Sequence, residues 1–227
     1  VARTVNPAAH ALRRDEFVDV ALQLIRTKGY EQLSIGEVLA ELGASKGAFY
    51  HYFDSKQSLL EAVVEKMTDS MEALVAPMLD DPSVPALEKL QRFFSTAVRW
   101  KTERRDLLIG LLEVWQSDDN AVVREKVLRT AYRRLTPLIA RIVRQGIDEG
   151  SFALAHPDEL ARVIVSLVFE FGQANADLYL AYHAGSVDRG TVERMAETYT
   201  LALERILGVQ PGSLTLFDAD ALRAWFA

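Results

Sequence analysis

Apolar residues recur at helical spacing through most of the chain, and short polar interruptions cut that pattern into blocks. Phe17, Val20, Ala21, Leu24 and Ile25 repeat at i, i+3, i+4, i+7 and i+8, which predicts a helix from about Ala11 to Lys28 ended by Gly29. Residues 1–10 read as a loose arm before it. Ser34-Ile35-Gly36-Glu37 has the form of a capping box, in which the Ser hydroxyl and the Glu carboxylate each accept a free backbone N–H. Val38, Leu39 and Leu42 follow as an apolar stripe. Gly43 stands where a helix end favours a left-handed residue, and Ser45 caps a second short helix two positions on. In that second helix Phe49 and Phe53, four apart, face inward and leave Lys46, Gly47, Ala48, Tyr50 and His51 outward. Small residues near a helix N-terminus, followed by polar and aromatic side chains with reach, suit entry into a DNA major groove.

The rest of the chain predicts helices only. Ser55 caps a long helix running to about Val75, and the alternation expected of strands is absent beyond Pro77. Breaks fall at 80–83, 104–106, 117–119, 150–157, 185–186 and 208–212. Residues 120–149 form a helix of about 45 Å if straight, with Pro137 removing one ladder bond and predicting a kink. A helix from Pro157 to about His183 is apolar on most of its circumference. The next carries Val192, Met195, Ala196, Tyr199, Leu203, Ile206 and Leu207 on one seam. Segments 158–183 and 188–207 therefore predict a homodimer joined through a four-helix interface, the alternative being that both fill the monomer core. Leu214 to Ala227 reads as a short docking helix, with Asp218 as cap and Leu222, Trp225 and Phe226 on one side. The expected fold is all-α: a three-helix helix-turn-helix module over residues 1–56 and a larger helical effector-binding and dimerisation domain over 57–227.

Composition narrows the functional classes. The 227 residues are 49% hydrophobic and 26% charged, ordinary for a soluble protein of one or two domains. The longest apolar run, Val163 to Phe169, is interrupted by Ser166 and too short to cross a bilayer. No basic-then-apolar leader and no cysteine are present, so cytoplasmic residence away from membranes is expected. The four histidines (10, 51, 156 and 183) form no metal-ligand spacing, and no phosphate-cradling glycine loop occurs. The acidic pairs Asp80-Asp81 and Asp118-Asp119 fall in helix breaks. Neither catalysis nor a metal or cofactor is expected. Residues 1–56 hold seven Lys/Arg against seven Asp/Glu, and residues 57–227 hold 19 against 25. DNA binding must then depend on a few placed contacts, with Arg3, Arg13, Arg14, Lys46 and Lys56 as the cations that one face can gather.

The run Gly43-Ala44-Ser45-Lys46-Gly47-Ala48-Phe49-Tyr50-His51-Tyr52-Phe53, followed by Ser55-Lys56 and Leu59-Leu60, resembles the signature of the TetR family of bacterial transcriptional regulators. The likeness extends from near Arg13 to about Met67; the remainder is similar only in length and helical pattern. It implies a dimer that binds a pseudo-palindromic operator in double-stranded DNA as a repressor and is released by a small, largely apolar effector. The DNA-facing set it implies is Ser34, Ala44, Ser45, Lys46, Gly47, Ala48, Tyr50, His51, Tyr52 and Lys56. In the family, positions matching Tyr50, Tyr52 and Lys56 touch phosphates, sugars and methyl groups, while Lys46 and Ala48 face base edges. Gly36 departs from the pattern, since relatives often carry a longer polar side chain there, and Leu39 replaces a usually small residue. The alternative is an all-helical ligand-binding or protein-interaction module without DNA binding. For an effector, Phe93, Phe94, Trp100, Trp115, Tyr132, Phe169 and Tyr179 supply more aromatic surface than a helical core needs. Glu113, Glu170 and Gln173 lie in otherwise apolar stretches, so the expected ligand set is Phe94, Trp100, Glu113, Trp115, Tyr132, Phe169, Glu170 and Gln173. Glu113 or Glu170 either favours a lipophilic cation or pairs with Arg99 or Arg162.

Overall fold

A computed structural model describes residues 7–153, 155–216 and 219–226, apart from the side chains of Glu113, Val114, Ala219 and Leu222. Arg3, Asp218 and the Leu222 side chain thus lie outside the described residues. Those described form α1 (Pro7–Lys28), α2 (Ile35–Leu42), α3 (Lys46–Tyr50), α4 (Lys56–Leu79), α5 (Ala86–Glu103) and α6 (Arg105–Gln116). A 3₁₀ turn over Asp118–Asn120 leads into α7 (Ala121–Asp148), then α8 (Pro157–His183), α9 (Arg189–Leu207) and α10 (Ala219–Phe226). Helix α1 begins at Pro7 and not at Ala11, so residues 7–10 belong to a helix and not to an arm. Proline suits a first helical position because the N–H it lacks has no intrahelical acceptor there.

The chain folds as two compact units: residues 1–70 with 104–128, and residues 71–103 with 129–227. The division of roles expected at residue 56 is a separate matter from this division into compact units. The core of the first unit joins Phe17, Val18, Ala21 and Ile25 of α1 to Val38, Phe49 and Phe53, and is completed by Leu59, Leu60 and Val63 of α4 and Leu107 and Leu111 of α6. Glycines permit that closure. Tyr30 N–H donates to the Gly110 carbonyl at 3.2 Å, and a Cβ on Gly110 would stand 2.7 Å from the Ile25 carbonyl oxygen. Helix α6 therefore rests directly on the backbone at the end of α1.

The second unit is built around Leu90, Phe93 and Phe94 of α5, Ile139, Ile142 and Val143 of α7, Ile164 and Val165 of α8, and Leu203 and Leu207 of α9. Lys89 is buried among them, its Nζ donating to the Leu79 carbonyl at 2.9 Å and to Gln145 Oε1 at 2.8 Å. That pairing satisfies an orphan carbonyl at the end of α4. Glu204, also buried, accepts the Leu214 N–H at 2.9 Å, and Gln91 exchanges two bonds with the backbone of Thr215. These bonds strap residues 214–216 across the unit. Helix α10 docks beyond the strap: Phe226 is buried with Val192, and Trp225 Nε1 donates to Thr102 Oγ1 at 3.1 Å. Pro137 lies inside a helix that runs on through it.

Replacing Gly110 with Ala should cost about 1–3 kcal/mol, the usual range for overpacking against atoms that cannot yield. Gly172→Ala is the control, because a Cβ there meets nothing within 4 Å. Urea unfolding should show a lowered midpoint for the first variant and an unchanged or raised one for the second.

Candidate nucleic-acid interface

The reading head is assembled by local bonds. Ser34 Oγ accepts the Glu37 N–H at 3.3 Å while Glu37 Oε2 accepts the Ser34 N–H at 2.9 Å, so the capping box is complete in both directions. Gly43 takes the left-handed conformation, φ 56°, and its N–H closes the end of α2. Ser45 Oγ then accepts the Ala48 N–H at 3.2 Å and starts α3. The orientation of α3 follows from one side chain. Phe49 is 0% exposed and meets the rings of Phe17 at 5.8 Å and Phe53 at 5.6 Å. Lys46, Gly47, Tyr50 and His51 are consequently exposed, Tyr50 to 54%.

Other expected contacts sit differently. Ala44, Ala48 and Tyr52 are half-buried against the first core, so each offers an edge and not a face. Ser34 and Ser45 are exposed, but their hydroxyls are committed to the caps. Lys56 is half-buried: its ammonium lies 4.1 Å from the centre of the Tyr30 ring and donates to the Glu31 carbonyl at 3.3 Å. Desolvation lowers its pKa, and burial and then Glu31 push the Tyr30 phenol up to about 12. Arg13 pairs with Glu16 and covers Phe17; Arg14 pairs with Glu65 at 3.6 Å and covers Phe53. Lys28 is held by Glu37, and Lys66 by Asp19 at 2.7 Å. Lys46 makes no hydrogen bond or ion pair with the described residues, which leaves its ammonium available.

His10 is a residue the sequence reading passed over. Its ring lies 4.6 Å from that of Tyr52 and 5.3 Å from that of His51, which adds the first turns of α1 to the edge of the reading head. Carrying the α1 stripe back two turns from Phe17 reaches His10, and that periodicity was the available signal.

The expected effector residues fall on α5, α6, α7 and α8. Phe94 and Trp100 are buried on α5, and Tyr132 stacks on Phe169 with ring centres 6.1 Å apart. Glu170 is exposed and Gln173 half-buried on α8, whereas Trp115 belongs to the first unit. The Glu113 side chain lies outside the described residues.

Residues 17–63 match the family model of bacterial regulatory proteins, tetR family. The HTH-type transcriptional repressor DhaR of Mycobacterium sp. (strain GP1) is 28% identical over 155 residues, 67% of this chain and 77% of that protein. The HTH-type transcriptional repressor KstR2 of Mycolicibacterium smegmatis is 24% identical over 166 residues, 73% of this chain and 77% of that one. A TetR transcription regulator from Haloarcula marismortui superposes with a TM-score of 0.64 at 18% identity, covering 87% of this chain and 97% of its own. Residues 17–63 are thus a segment of the tetR family of bacterial regulatory proteins. The chain that carries it is a helix-turn-helix transcriptional regulator, and no helix among the described residues is long and apolar enough to cross a membrane.

The cap at Ser34 carries a pH signature. Bonds from Lys28 and then Ser34 lower the Glu37 pKa to about 2 from an ordinary 4.5. A depressed carboxylate contributes stability that is complete above about pH 4.5 and is lost as pH falls toward 2. Thermal midpoints of the wild type and Glu37→Gln should therefore differ most near neutrality and converge as the pH approaches 2.

Proposed function

We propose that this regulator is a dimeric repressor whose two copies of α3 enter successive major grooves of a pseudo-palindromic operator and that a small effector releases it. The carrying observation is the outward set Lys46, Tyr50 and His51 on a helix fixed from behind by Phe49. Lys46 can donate to guanine, and the Tyr50 hydroxyl and His51 ring can reach phosphate. Residues 1–56 carry the reading role, and 57–227 carry effector binding and dimerisation. Val163 and Leu180 of α8, 47% and 39% exposed, support a dimer through α8 and α9. Val163 continues into half-buried Leu167, Ala174 and Ala181 on one helical stripe, a surface that a second α8 would cover. Helix α4 supplies Leu60 and Val63 to the first core and Val75 and Leu79 to the second. A rearrangement favoured by an effector would reach the reading head along it, and operator would weaken effector binding by the same factor. A cytoplasmic location belongs to this reading.

Mobility shifts on DNA upstream of the protein's own gene test it. Tyr50→Ala should weaken binding to every sequence by about tenfold or more, a loss of ~1.4 kcal/mol or more. Lys46→Ala should chiefly narrow the gap between the preferred site and its single-base variants, by ~1–3 kcal/mol at the contacted pair. Wild-type affinity in Tyr50→Ala would show that α3 is not the reading helix.

A further inference from the structure

Helix α1 meets the end of α3 through aromatic rings. The centre of the Phe17 ring lies 5.7 Å from that of Tyr52. Two turns earlier on α1, the His10 ring lies 4.6 Å from the same tyrosine and 5.3 Å from His51. His51 and Tyr52 are themselves 5.0 Å apart. The backbone beneath them is fixed, since the His51 N–H donates to the Gly47 carbonyl at 3.2 Å and the Tyr52 N–H to the Phe49 carbonyl at 2.9 Å. Two imidazoles from different elements are thus held edge to face, with 74° between their planes, on the rim of the reading head.

Packing alone does not call for histidine at these positions. A phenyl ring would fill the same space against Tyr52 without bringing nitrogens that need partners. An imidazole carries at least one N–H whatever its charge, and neither ring forms a hydrogen bond or ion pair with the described residues. His51 is exposed. His10 is half-buried but buries neither ring nitrogen without a partner, so its nitrogens reach water. Arg13 and Arg14, three and four residues further along α1, are turned to Glu16 and Glu65. That leaves His10 as the unengaged side-chain donor between residues 7 and 17.

We propose that His10 and His51 together hold one backbone phosphate of the operator, which makes α1 a DNA-contacting element. A phosphodiester has two unesterified oxygens, so donors on facing rings can share it without competing. Rings already fixed by their neighbours lose little freedom on binding. The inference rests on the reading of α3 as the operator-reading helix, and it adds to that helix a contact with no base preference of its own.

The test uses the full-length protein and an operator duplex identified by mobility shift. Replacements at each histidine separate the donor from the ring: Phe keeps a ring and loses the N–H, Gln keeps an N–H and loses the ring, and Ala loses both. His10→Phe should weaken binding about tenfold, as His10→Ala does, and equally for the preferred site and its single-base variants. His10→Gln should keep part of the affinity, and His51 should follow the same order. Duplexes with a neutral methylphosphonate at one position at a time then locate the contact. One position should weaken wild-type binding about tenfold and cost His10→Phe and His51→Phe nothing further. Wild-type affinity in His10→Phe together with a loss in His10→Gln would show that the ring only packs. Insensitive positions that differ between the two Phe variants would show that no phosphate is shared. Either result overturns the proposal, and the reading of α3 survives it if Tyr50→Ala still weakens binding. A wild-type protein that retards no DNA defeats both.

Discussion

Phe49 sits fully enclosed between Phe17 and Phe53, and α3 depends on that enclosure because five residues cannot sustain a helix alone. The Ser45 cap sets where α3 begins, but only burial fixes its rotation. Phe49 inward places Lys46 and Tyr50 outward, as helical geometry demands. A smaller residue at 49 would leave the cap intact and the outward face undefined. The capping box at Ser34 and the left-handed Gly43 act one step earlier, ending α2 so that the chain can turn within two residues.

Electrostatics in the first unit are arranged for economy of contact. Arg13, Arg14, Lys28 and Lys66 each face a carboxylate of the same unit, and Lys56 is spread over a tyrosine ring and a carbonyl. Such pairs are worth little as stability when exposed, but they neutralise the field that would attract any phosphate backbone. With Lys46 left unpaired, selectivity follows from geometry more than from charge. The second unit takes the opposite course with its buried groups, where Lys89 and Glu204 bond to backbone and amide partners and hold α4, α5 and the 214–216 strap in register.

Features that rest on neighbours in sequence were legible in the sequence. The caps at Ser34 and Ser45, the Gly43 turn, the inward Phe49 and the extents of α7, α8 and α9 all follow from spacing within a few turns. The unit boundary did not, because it is decided by Gly110 meeting Ile25 and Tyr30 some eighty residues away, a contact no periodicity records. Lys56 shows the same limit: its place at a helix start is written in the local sequence, but the Tyr30 ring and the Glu31 carbonyl that meet its ammonium are not. Aromatic abundance does not by itself show which rings are core. Phe93 and Phe94 meet edge to face with ring centres 5.5 Å apart, and Phe171 packs on Tyr199 at 5.0 Å, so these rings are filling a core.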